Sequence, residues 1–303
     1  MTTDDPYPHL ADKAKGQVNL SDSERIRIIR SGSFVKLERS IDVLNQMQEF
    51  VDHPKVARMP GMLLVGPAFS GKTTILKELC ALYPPDYQPE SEITNYPVLM
   101  IEAPPRPDVT DFYCRILDKF AAVYKPNASS PALRSQVERL IRTLGVKVLV
   151  IDEIQHVIAG SDAKVRLFRN TLKSMMNELQ ICIVLSGTME AYAAIMHDDQ
   201  MASRFAPREL KAINHKDKQM VVLVKTMELR MPLKLPSNLG DIEMLRKIDQ
   251  LAEGSIGHIC ELVQALAVEA IKSKKEQITL KALADLKFMP LSKRTRQARP
   301  KSL

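Results

Sequence analysis

The sequence contains no tryptophan, and aromatic residues make up only 5% of its 303 residues. Base stacking is therefore not the expected mode of any nucleic-acid contact. The four cysteines, Cys80, Cys114, Cys182 and Cys260, lie far apart, and no paired spacing suggests a zinc site or a disulfide framework. No apolar run approaches the roughly 18 residues of a membrane span. Stretches such as Val146–Ile151 are short and are interrupted by Lys147, so no membrane partner is expected. Met1–Pro8 is polar and acidic without an apolar segment, which argues against a signal peptide and for a cytoplasmic protein. Internal repeats and low-complexity stretches are also missing. With 45% apolar and 26% charged residues, a largely disordered chain is excluded.

What the chain does have is positive charge, unevenly spread. The net charge is +7, yet Lys287, Lys293, Arg294, Arg296, Arg299 and Lys301 crowd the last 17 residues, where no acid occurs. The preceding residues are close to neutral, so overall basicity is a weak argument for nucleic acid. A second excess lies in Arg106–Lys147, which holds eight basic residues against four acids.

Residues 1–33 are polar and read as a loosely ordered arm. Leu37, Ile41, Leu44, Met47 and Val51 then form one stripe at helical spacing. Apolar runs at Gly61–Val65, Val98–Ile101, Lys147–Ile151 and Ile181–Leu185 read as strands, with helices expected over Thr73–Leu82, Val109–Val123, Pro131–Leu144 and Val165–Leu179. Strands of this near-continuous kind, alternating with helices, predict an α/β fold with a parallel sheet covered on both faces. Beyond about Pro207 the strand signal fades, and Ile242–Leu251, Ile256–Ser273 and Thr279–Lys287 predict three helices. The expected organisation is an arm (1–33), a nucleotide-binding α/β domain (34–207), a small helical lid (208–288) and a basic tail (289–303).

The sharpest local pattern is Gly66-Pro67-Ala68-Phe69-Ser70-Gly71-Lys72-Thr73, a full G-x-x-x-x-G-K-[ST] match between an apolar strand and a helix. In that setting main-chain N–H groups wrap phosphate oxygens, and the helix N-terminus favours an anion. Lys72 is expected to reach the β- and γ-phosphates and Thr73 to hold Mg2+ through its hydroxyl, with Thr74 beside it in the same site. A second apolar strand ends in Asp152-Glu153. In a parallel sheet that end faces the crevice of the phosphate loop, where Asp152 supports Mg2+ and Glu153 orients and deprotonates a water. A phosphotransferase must exclude water, so a glutamate placed to activate it points to hydrolysis and away from a P-loop kinase. No Asn-Lys-x-Asp guanine-reading motif occurs, since residues 214–217 read Asn-His-Lys-Asp, and ATP is favoured over GTP. A third strand ends in Ser186-Gly187-Thr188, where Ser186 or Thr188 could stand between loop and acids to sense the γ-phosphate. A plain strand-to-loop turn is the alternative.

Taken together, these segments resemble the AAA+ ATPases, and within them the TniB/TnsC group of transposition regulators. The residues behind the resemblance are Gly66–Thr73, Leu149–Glu153, Leu185–Thr188, Ser203-Arg204-Phe205 and Glu253-Gly-Ser-Ile-Gly-His258, and it spans residues 35–287. It implies a P-loop sheet sandwiched by helices and followed by a helical lid. It further implies ATP-dependent assembly into rings or helical filaments on double-stranded DNA, with nucleotide at subunit interfaces and hydrolysis controlling disassembly. The implied partners are a DDE-type transposase, to be recruited or activated, and a target-selection adaptor; the implied place is the bacterial cytoplasm, on the nucleoid when DNA-bound.

Arg204 falls where the family places an arginine finger, with Arg208 as the second candidate and an ordinary surface arginine as the alternative. His258 stands where many relatives carry a lid arginine. A neutral imidazole lacks the guanidinium fork, which leaves more of the γ-phosphate task to Arg204 and allows a packing role for His258. Helices after the second strand line the pore in the resembled assemblies, making Arg106, Arg115 and Lys119 candidate DNA-phosphate contacts. Binding is then expected to be sequence-independent and steeply salt-dependent. The alternative for each is a solvated helix face with pairs such as Asp111–Arg115. An AAA+ helicase-loader-like ATPase acting on replication proteins is the alternative overall function.

Overall fold

The computed structural model describes residues 5–90, 93–158, 160–290 and 292–293. Two helices come first, α1 (Asp12–Lys15) and α2 (Asp22–Ser31), followed by α3 (Glu38–Val51). An alternating series follows: β1 (Gly61–Val65), α4 (Lys72–Leu82), the short strands β2 (Asp86–Gln88) and β3 (Ile93–Asn95), then β4 (Val98–Glu102) and α5 (Val109–Lys119). It continues with α6 (Ser130–Thr143), β5 (Val148–Asp152), α7 (Asp162–Leu179), β6 (Cys182–Gly187), α8 (Met189–Met196), α9 (Asp199–Ala202) and β7 (Phe205–Glu209). Helices α10 (Lys218–Arg230), α11 (Ile242–Ala252), α12 (Ile256–Lys272) and α13 (Leu280–Asp285) complete the order.

The chain divides into two compact units, residues 39–211 and residues 1–38 with 212–303. In the first unit five parallel strands lie in the order β4-β5-β6-β1-β7, and β2 and β3 form a separate antiparallel pair. β1, β5 and β6 are buried at every position, as expected of central parallel strands with helices on both faces. The expected fold class is thus observed. Phe112 of α5 meets Phe168 of α7 edge-on at 5.1 Å, joining two helices over the sheet.

β7 escaped the sequence reading. Its residues are Phe-Ala-Pro-Arg-Glu, and only Phe205 is buried. Pro207 cannot donate to a ladder, which an edge strand tolerates. The strand pairs with β1 from Gly61↔Phe205 to Val65↔Glu209.

The second unit corrects the expected arm and domain limits. Within residues 5–33 the chain is helical and packed, and it shares a core with the C-terminal helices. Ser21 caps α2 in a capping box with Glu24, and Ile29 and Leu37 join Leu223, Ile248, Leu262 and Ile271 in one apolar cluster. Arg25 shows how a polar residue of this segment is accommodated inside. It is only 2% exposed, and its guanidinium donates to both carboxylate oxygens of Glu276 at 2.7 Å and to Pro232 O at 3.0 Å. A charge that reads as surface in the sequence is buried because its partner lies 251 residues away. Of the basic tail, residues 291 and 294–303 lie outside the described residues. The helix α10, which the sequence reading left unassigned, buries Met220, Leu223, Val224 and Met227 in the same cluster.

Glu276→Ala leaves Arg25 buried without its bidentate partner, and urea unfolding should show a loss of about 3–5 kcal/mol. An unchanged midpoint would mean the pair contributes nothing. Arg25 holds the Glu276 carboxyl below its ordinary value of 4.5. Its stabilisation is therefore present at neutral pH and is lost as pH falls below that value towards the lowered one. Wild-type stability should decline more steeply over that window than that of Glu276→Gln.

Candidate active site

The phosphate loop leaves β1 at Val65 and enters α4 at Lys72. Gly66 has no room for a side chain, since a Cβ there would lie 2.7 Å from Leu210 O and 2.9 Å from Ser70 Oγ. Gly71 precedes the helix with φ of 93°, a left-handed conformation suited to glycine. Pro67, Ala68 and Phe69 are exposed, Phe69 at 58%, whereas Ser70 is buried. The Lys72 ammonium is drawn into the loop, donating to Gly66 O at 2.9 Å, Pro67 O at 2.8 Å and Ser70 Oγ at 3.4 Å. Burial pushes the Lys72 pKa down, and the charges of Glu153 and Asp152 oppose that shift.

The acidic strand end meets this loop. Thr73 Oγ1 donates to Asp152 Oδ2 at 2.6 Å, and Asp152 Oδ1 accepts from Glu153 N at 2.9 Å. Two hard oxygen donors in contact, one hydroxyl and one carboxylate, suit Mg2+. Among the described residues no group of three or more His, Cys, Asp or Glu could hold a metal ion. Thr73 and Asp152 would hold such an ion together with phosphate oxygens. Thr74 follows on α4 and is exposed.

Glu153 occupies the left-handed region, with φ of 56° and ψ of 39°, which is costly for a residue with a side chain. Its carboxylate accepts a hydrogen bond from Gln155 Nε2. Gln155 also faces the third strand end, because a Cβ on Gly187 would lie 2.9 Å from Gln155 Oε1. The sequence reading missed Gln155. Its only signal was a polar residue two positions after the acidic pair.

β6 lies between β5 and β1, so the Ser186-Gly187-Thr188 segment does stand between acids and loop. Ser186 is fully buried beside Leu64 in the strand register, and its hydroxyl has no partner among the described residues. Thr188 is the residue before α8, and its hydroxyl lies 3.2 Å from Glu190 Oε2.

Arg204 lies elsewhere. It occupies the turn between α9 and β7, its carbonyl accepts from Gly61 N at 2.9 Å, and its Nη1 donates to Asn177 Oδ1 at 2.9 Å. That is the N-terminal edge of the sheet, while the phosphate loop leaves the C-terminal edge. With strand residues rising about 3.3 Å each, Arg204 starts roughly 15 Å along β1 from its own loop, beyond the span of one arginine side chain. Arg208 donates from Nε to Gln46 Oε1 at 2.7 Å.

Arg106 is exposed before α5, Lys119 is exposed in its last turn, and Arg115 pairs with Asp111 at 3.4 Å. Arg134 and Arg142 of the same stretch are engaged by Glu138, and Arg134 also by Glu178. His258 belongs to the unit of residues 1–38 and 212–303; it is 1% exposed in the first turn of α12, with its ring 6.3 Å edge-on from Phe288. That burial is what a packing residue shows.

Comparison with known proteins bears on the fold and the family. No curated protein matches the sequence. Among solved structures, Cdc6p from Pyrobaculum aerophilum superposes with a TM-score of 0.61 at 14% identity, over 86% of this chain and 68% of that one. ORC2 from Aeropyrum pernix, solved with ADPNP and ADP, gives 0.59 at 11%, over 85% and 70%. Drosophila ORC bound to DNA gives 0.56 at 13%, over 94% and 67%. Identities this low establish the fold, which is that of the AAA+ ATPases. The family model of the bacterial TniB protein matches residues 25–215, and the chain belongs to the TniB family.

Proposed function

We propose that the protein is an ATP-hydrolysing regulator of DNA transposition. It assembles on double-stranded target DNA, recruits or activates a transposase, and uses hydrolysis to control disassembly. The observation that carries the ATPase reading is the 2.6 Å contact of Thr73 with Asp152, which brings the phosphate loop and the acidic strand end into one site. Family membership supports transposition as the process served.

In this mechanism the loop N–H groups and Lys72 bind the β- and γ-phosphates, Lys72 exchanging its carbonyl partners for phosphate oxygens. Thr73 and Asp152 would hold Mg2+, which neutralises developing charge when bound. Glu153 accepts a proton from water as the water oxygen bonds to the γ-phosphorus, and the bond to the bridging oxygen breaks to release ADP. Gln155 holds the Glu153 carboxylate at the strand end. Ser186 and Thr188 stand where the γ-phosphate is sensed. Arg204, out of reach of its own loop, serves the site of an adjacent subunit and makes hydrolysis depend on assembly.

Glu153→Gln should keep ATP binding, lower turnover by about 10^2-fold or more and prolong the life of the DNA complex. Lys72→Ala should lose binding as well. Fluorescent-nucleotide titration with phosphate-release kinetics separates the two, and normal turnover in Glu153→Gln would remove that residue from its role. The wider reading is tested by measuring turnover and particle shape in negative-stain microscopy with and without double-stranded DNA. DNA should change both, and a protein indifferent to DNA would contradict the proposal.

Arg106 and Lys119 are the two exposed cations among the candidate DNA contacts. Arg106→Ala with Lys119→Ala should weaken binding to all duplex sequences alike and reduce the slope of log affinity against log salt by about 2. An unchanged slope would take both residues off the DNA.

A further inference from the structure

A second guanidinium shares the turn that carries Arg204. Arg58 sits in the segment between α3 and β1, and this segment is held in place from below. Met59 is buried at 2% exposure, Val56 N donates to Met59 Sδ at 3.4 Å, and Gln180 Nε2 donates to Val56 O at 3.5 Å. Arg58 itself is exposed, and its Nη2 donates to both Ser203 O, at 3.2 Å, and Ser203 Oγ. It is thereby fixed to the residue next to Arg204. Arg204 is fixed in turn by Asn177, an uncharged partner.

Among the described residues, neither guanidinium forms an ion pair. Two acids close to them in sequence are committed elsewhere: Glu178, next to Asn177, to Arg134, and Asp198 to Arg169 at 3.8 Å. Two cations held side by side without a counter-charge repel each other, and burial together with the charge of Arg58 pushes the Arg204 pKa down. A fixed pair of forks with unused N–H donors is a ready receptor for an anion with several oxygens, and phosphate matches that geometry.

We infer that Arg58 and Arg204 form one two-guanidinium phosphate site, and that its ligand is the nucleotide polyphosphate held by the phosphate loop of an adjacent copy. The inference rests on the proposed role of Arg204 and adds Arg58 as a second cation in direct contact with the phosphates. Position favours this anion over DNA. The arginine pair lies at the N-terminal edge of β1 and β7, whereas Arg106 lies beyond the C-terminal end of β4, at the opposite edge of the sheet. The same body thus presents a phosphate cradle at one edge and uncompensated cations at the other, which is the complementarity of a head-to-tail contact.

The test mixes variants of the full-length protein on double-stranded DNA. Glu153→Gln supplies intact arginines with a hydrolytically dead loop, and Arg58→Ala supplies an intact loop. The mixture should turn over ATP faster than the sum of the two proteins measured apart, as should Glu153→Gln with Arg204→Ala. Recovery with Arg204→Ala but not with Arg58→Ala overturns the role of Arg58 alone. No recovery with either overturns the arginine reading beneath it. Direct contact is separated from mere support of Arg204 by the double variant: Arg58→Ala should lower the residual turnover of Arg204→Ala by a further 10-fold or so. No further loss would make Arg58 a positioning residue. Circular dichroism checks that each variant folds. If Arg58→Ala weakens DNA affinity while leaving turnover per assembled subunit unchanged, the anion is DNA and the inference fails.

Discussion

Thr73 and Asp152 are 79 residues apart in sequence and 2.6 Å apart in space. That contact depends on the order of the strands. β1 and β5 are parallel and separated by one strand, β6, so their C-terminal ends open on the same edge, and the helix that follows β1 turns its first residues towards the end of β5. Moving either strand by one place would take the hydroxyl away from the carboxylate. The apolar runs of β1, β5 and β6 bury these three strands completely, and the residues of the site begin where the runs end: Gly66, Asp152, and the Ser186–Thr188 segment. Buried sheet and chemical site are therefore two parts of one pattern along the chain.

The same sheet has a second, chemically different edge. Loop and carboxylates gather at the C-terminal end of the strands, while Arg204 and Arg58 gather at the N-terminal end. A parallel sheet with strands of five or six residues cannot bring these two sets together within one molecule. On the proposed reading this separation is the means of control: a site lacking its cations hydrolyses slowly until a neighbour supplies them, so turnover reports assembly. Hydrolysis then alters the anion that holds the contact and loosens it, as a nucleotide switch requires. Gln155 extends the logic inside one subunit, touching the Glu153 carboxylate and lying against Gly187, so that sensor strand and base share a neighbour.

How much of this was legible depended on whether a residue's surroundings are local. The phosphate loop was legible because its glycines, lysine and threonine are consecutive, and β5 because its apolar run stops abruptly at two acids. β7 was not, since an edge strand reading Phe-Ala-Pro-Arg-Glu buries one residue and carries no alternation. Residues 5–33 looked like an arm because they are polar, and the Glu276 that lets Arg25 be buried among them lies at the far end of the sequence. The basic stretch 106–147 looked freer than it is, because Glu178, outside the stretch, engages Arg134. Arg58 carried no signal, as its importance comes only from Ser203 and Arg204, which fold against it.

The central claim is that the site in one subunit is completed by another. The most direct measurement is phosphate release per subunit as a function of protein concentration, at saturating ATP and double-stranded DNA. The account predicts a specific activity that is low in dilute protein and rises more than proportionally as subunits associate, until it reaches a plateau. A specific activity constant across the full range, down to concentrations where the protein is monomeric, would contradict it.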